Sequence, residues 1–96
     1  MTDEQLSAPE VALLRTALEA EASGVPLPTG YLVSRTIVGR GILLNPQNRA
    51  RYAVLLDGLI SSGHIVISTA GDLTGDVTVT VTDTGRAALA GQAAGA

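Results

Sequence analysis

Between residues 45 and 67, NPQNRARYAVLLDGLISSGHIVI, apolar positions first recur at helical spacing and then alternate in β-branched fashion. Tyr52, Leu55, Leu56, Leu59 and Ile60 share one broad face of a helix. Asn45 suits the cap of that helix and Pro46 its first turn, where a missing N–H costs nothing. Gly63 closes it, and the sequence predicts a helix over 46–62 followed by a strand over about 64–68. Upstream, Val11, Leu14 and Leu18, flanked by Leu13 and Ala17, give a second stripe through about Ala22. Ser7-Ala8-Pro9-Glu10 fits a capping box before it, with Leu6 and Val11 spaced for a hydrophobic staple. Gly24, Pro26 and Pro28 end that helix. Downstream, Val77, Val79 and Val81 alternate with threonines and predict a strand over about 77–82. Thr69 to Asp76 is the connection between the two strands. Residues 29–44 are less decided. Thr29 could cap a helix with Leu32, Val33, Ile37 and Tyr31 inward, yet the β-branched run leaves a strand open.

The chain has 96 residues, enough for one domain burying about 60–65% of its unfolded surface. Residues 1–90 form that domain, and 91–96, GQAAGA, read as a small, flexible tail. With no cysteine, disulfides and thiolate metal sites are excluded. The N-terminus, MTDEQLSAPE, lacks a basic start and apolar run, and no apolar stretch approaches the roughly 20 residues that cross a bilayer. The expectation is a cytoplasmic protein without membrane contact.

Charge changes the picture by its order along the chain. The net charge is −3, which argues against indiscriminate nucleic-acid binding. Residues 1–22 hold Asp3, Glu4, Glu10, Glu19 and Glu21 against Arg15. Residues 23–56 hold Arg35, Arg40, Arg49 and Arg51 with no carboxylate. From Asp57 onward Asp57, Asp72, Asp76 and Asp83 face Arg86. Every basic residue is arginine, the side chain suited to bidentate contacts with phosphate or guanine.

A helix ending in Leu-Ile, then Gly, then a strand, resembles the recognition helix and first wing strand of winged helix-turn-helix domains. Thr82-Asp83-Thr84-Gly85-Arg86, followed by Ala87, Ala88 and Leu89, is similar to the turn by which MarR-like and PadR-like regulators leave the second wing strand. The likeness covers about residues 45–90. It implies an α+β fold: a small winged-helix domain with a three-helix core, a two-stranded antiparallel wing and a C-terminal helix. It places a helix over the undecided stretch, broken at Gly39-Arg40-Gly41, with Ile42 to Leu44 crossing the core as the turn. That turn is longer than the 3–4 residues usual in such units. The likeness also implies a homodimer joined through the terminal helices, whose apolar stripes exceed the needs of one small core.

A helical projection sets Gln47, Ala50, Arg51 and Val54 opposite Leu56 and Leu59. In a major groove Arg51 suits guanine, Gln47 adenine, and Ala50 a thymine methyl. Asn48 and Arg49 flank the helix start, where phosphate contacts belong, and Arg35 and Arg40 add to them. Asp57 limits how deep the helix can lie. The expected function is a sequence-specific regulator of double-stranded DNA. The acidic connection, with Asp72 and Asp76 where wings that touch DNA carry Arg or Lys, favours another: a module docking on a basic protein. Enzyme chemistry finds no support. His64 is the lone histidine, and there is no GxSxG elbow, no GxxxxGK[ST] and no GxGxxG. The spacing of Asp72 and Asp76 matches no EF-hand loop, and no cofactor is expected. Two tyrosines without Phe or Trp cannot build an RNA-stacking sheet.

Overall fold

The first and third helices start where their own side chains supply missing hydrogen bonds. The computed structural model describes residues 6–28, 30–69 and 76–94. Helix α1 spans Ala8–Ser23, α2 Tyr31–Gly39, α3 Pro46–Ser61 and α4 Asp83–Ala94, with strands β1 at Ile65–Thr69 and β2 at Val77–Val81. The class is α+β, with four helices and a two-stranded antiparallel sheet among the described residues. At the start of α1 the Glu10 carboxylate accepts from the Ser7 amide at 2.8 Å and from the Ser7 hydroxyl at 3.0 Å. At the start of α3 the Asn45 side chain accepts from the Asn48 amide at 2.8 Å, with Pro46 in the first turn. The end of α3 is a Schellman turn. Gly63 takes φ +83°, its N–H reaches the Ile60 carbonyl, and the His64 N–H reaches that of Leu59. Thr29, expected to cap α2, lies outside the described residues, and Gly30 stands at the cap position.

The core is built from every element. Leu13, Leu14, Ala17 and Ala20 of α1 meet Leu32, Val33 and Ile37 of α2 and Tyr52, Leu56 and Leu59 of α3. Ile65, Val79 and Val81 close it from the sheet. Each fully buried Leu or Ile here contributes about 1.5–3 kcal/mol. The buried stripe of α1 is therefore centred on Leu13 and Ala17, and Val11 and Leu18, expected at its centre, are half-buried. Tyr31, expected inward, is exposed. Thr36 takes an inward place instead and keeps its hydroxyl satisfied on the Thr16 hydroxyl at 2.9 Å.

The strands pair in register, Ile65 with Val81 and Ile67 with Val79, so their inward faces coincide. Leu27 adds an antiparallel bridge to Val77, its N–H donating at 2.8 Å and its carbonyl accepting at 2.7 Å. This link between the α1–α2 connection and the sheet is absent from the sequence reading. Residues 70–75, with Asp72, lie outside the described residues. Helix α4 continues through Ala94, into the stretch read from sequence as tail, and Ala88 and Leu89 pack on the core. No helix among the described residues is long and apolar enough to cross a membrane.

Candidate nucleic-acid interface

Helix α3 is held by its ends and one side. The Asn48 side-chain amide donates to the Leu43 carbonyl at 2.7 Å, folding the α2–α3 connection back onto the helix start. One turn on, the buried Tyr52 hydroxyl accepts from Arg40 Nη1 at 2.7 Å, which ties the end of α2 to the middle of α3. The connection itself runs from Arg40 to Asn45, six residues between Gly39 and Pro46. Only Ile42 packs against the core. Leu43 is 72% exposed and Leu44 also faces solvent, which corrects the expectation that Ile42 to Leu44 cross the core together. The reason is geometric: the Asn48 bond draws the Leu43 carbonyl to the helix, and the Leu43 side chain stays outside.

The sides of α3 separate as the projection requires. Tyr52, Leu56 and Leu59 are buried, while Gln47, Ala50, Arg51 and Val54 are exposed. Arg51 makes no ion pair among the described residues. Asn48, expected at phosphate, donates through its side-chain amide nitrogen to the Leu43 carbonyl.

The four arginines of the basic segment do not converge on one spot. Arg35 and Arg40 share a groove between α1 and α2 with Arg15 and Glu19, over Thr16 and Thr36. Arg49 lies in a cleft between α2 and α3 with Gly30, Ser34 and Asp57. Arg51 stands alone on the outer face of α3. Arg15 is the groove member that sequence reasoning missed. The signal was there in outline, since Arg15 falls beside Thr16 and Glu19 on the outer side of α1, but only the packing of α2 on α1 brings the three arginines together.

His64 is engaged by its backbone in the Schellman turn, and its Nδ1 meets the Ser62 hydroxyl. Among the described residues no three or more His, Asp or Glu side chains are gathered as a metal site would need. Asp76, the described acid at the sheet connection, is half-buried and is not free. No protein-family model, no curated protein and no solved structure matches the chain.

Proposed function

We propose that the chain is a non-enzymatic winged-helix protein that binds double-stranded DNA sequence-specifically through the outer face of α3. What supports this is one observation: α3 is anchored by Tyr52, Leu56 and Leu59 and offers Gln47, Ala50 and Arg51 outward from its first two turns. The order of elements, with a helix and turn before α3 and an antiparallel pair after it, suits that use. In a major groove Arg51 engages guanine O6 and N7, Gln47 engages adenine, and Ala50 meets a thymine methyl. Arg35 and Arg49 supply phosphate contacts, and Arg40 has donors beyond the one given to Tyr52. Asn48 acts indirectly, by holding the start of the helix.

Fluorescence anisotropy against a pool of random duplexes, with selection and salt titration, tests this. Arg51→Ala removes about 1–3 kcal/mol of base discrimination. Arg49→Ala weakens all sequences alike and lowers the slope of log K against log salt by about 1. Absence of any enriched sequence, with no binding at about 50 mM salt, overturns the proposal.

A second reading, a protein-docking module, draws on a different feature of the same helix. Its outer face carries Ala50, Val54 and Gly58 with one Arg51 and, at its edge, one Asp57, so it bears no net charge, and Val54 is 70% exposed. The version of this reading that uses an acidic wing on a basic partner involves Asp72, outside the described residues. Replacing Asp72 and Asp76 with Asn weakens such a complex and tightens any DNA complex, so the two readings move in opposite directions.

A further inference from the structure

We infer that α3 carries a self-complementary seam and that a second copy of this chain docks on it antiparallel, helix against helix. The seam is centred on Val54, a β-branched apolar side chain that the fold leaves 70% exposed in mid-helix. Arg51 lies three residues before it and Asp57 three after, both exposed. Ala50 and Gly58 stand four before and four after, and Gln47 and Ser61 seven before and seven after. Separations of three, four and seven keep all of these on one side of a helix.

An antiparallel pair related by a two-fold axis beside Val54 brings each residue before the centre level with the one equally far after it in the other copy. Arg51 then meets the partner's Asp57, and Asp57 meets the partner's Arg51, giving two identical ion pairs. Within one chain the two cannot pair, being about 9 Å apart along the helix axis and on opposite flanks of Val54. Neither makes an ion pair among the described residues. At the shallow crossing of about +20° usual for antiparallel helices, the arginine must reach across the seam. It passes over Ala50 and Gly58, which are small enough to allow it.

Gly58 supplies an independent reason. It sits inside α3, and a Cβ built there meets nothing within 4 Å. In the isolated chain, alanine at this position would add about 1 kcal/mol to helix stability. Nothing among the described residues requires the missing side chain. A second helix crossing closely at that level would make use of it.

The inference does not rest on DNA binding, and its test contains no nucleic acid. Sedimentation equilibrium of the full chain is compared with Arg51→Glu, Asp57→Arg and the double exchange. The expected result is a wild-type dimer, a dissociation constant weakened roughly tenfold or more in each single variant, and recovery in the double variant. Gly58→Gln, which adds bulk where this chain has open space, should abolish the dimer without lowering the unfolding midpoint measured at concentrations dilute enough for the wild type to be monomeric. A wild type that stays monomeric at about 100 μM, roughly −5.5 kcal/mol of association, overturns the inference. So does a dimer indifferent to both single reversals, or one that the double exchange fails to restore.

Discussion

Gly85 sets how closely the last helix can approach the sheet. A Cβ at this position would lie 2.4 Å from the His64 carbonyl oxygen and 2.8 Å from Val81 Cγ1, the first of which is backbone and cannot step aside. Thr82, three residues before it, prepares the approach. Its hydroxyl lies against the Gly63 and His64 carbonyls and accepts the Gly85 N–H at 3.1 Å, so one side chain caps α4 and fastens it to the turn after α3. Gly85→Ala should lower stability by about 1–3 kcal/mol in urea unfolding, the usual cost of overpacking. Gly91→Ala in the same helix, where a Cβ meets nothing, should instead raise it by up to about 1 kcal/mol. The contrast separates close approach from helix propensity. A Thr-x-x-Gly turn is visible in the sequence as a pattern. Its cause is not, because the clashing oxygen belongs to His64, on the far side of the sheet connection.

At the scale of elements, the start of α3 matters most, since it aims Gln47, Ala50 and Arg51. Asn45→Ala removes the cap on the Asn48 amide and should cost about 1 kcal/mol, measured as a shift in urea midpoint at unchanged slope. It should also weaken duplex binding of an otherwise folded protein, if the outer face of α3 is the contact, because the first turn frays. The caps, the long helices and both strands were legible because each has a local signal: Asn-Pro, Leu-Ile-Gly, or Val-Thr alternation. Helix α2 was ambiguous because β-branched Val33, Thr36, Ile37 and Val38 prefer strands locally, and packing on α1 and α3 overrides them. The Leu27–Val77 bridge was hidden for a different reason. One paired residue between Pro26 and Pro28 has no alternation to reveal it, although both prolines favour extended backbone around it. The outer face of α3 was readable from spacing alone. The division of the arginines among three places was not, since it depends on which helix packs beside each.

For the whole molecule, the two proposals about α3 compete, because the antiparallel seam and a DNA groove both require Arg51. If both hold, adding a selected duplex should dissolve the dimer, and sedimentation of a labelled protein should show one chain per half-site. A complex in which the α3 dimer persists on the duplex would show that they use different surfaces. A second long-range feature concerns how the chain closes on itself. Glu21 of α1 accepts the Val81 N–H at 3.1 Å and pairs with Arg86 of α4 at 2.9 Å. The Glu21–Val81 contact joins positions 60 apart in the chain, and α1 packs extensively on β2. A ribosome adding about 5–20 residues per second needs roughly 3–12 s to make that span. Throughout that interval the sheet side of α1 has no lid, and the nascent chain must wait, apolar face uncovered, for its own last strand. Slowing translation over the second half of the message should then lower the fraction of native protein, measured as the soluble yield of a cell-free synthesis with and without added chaperone.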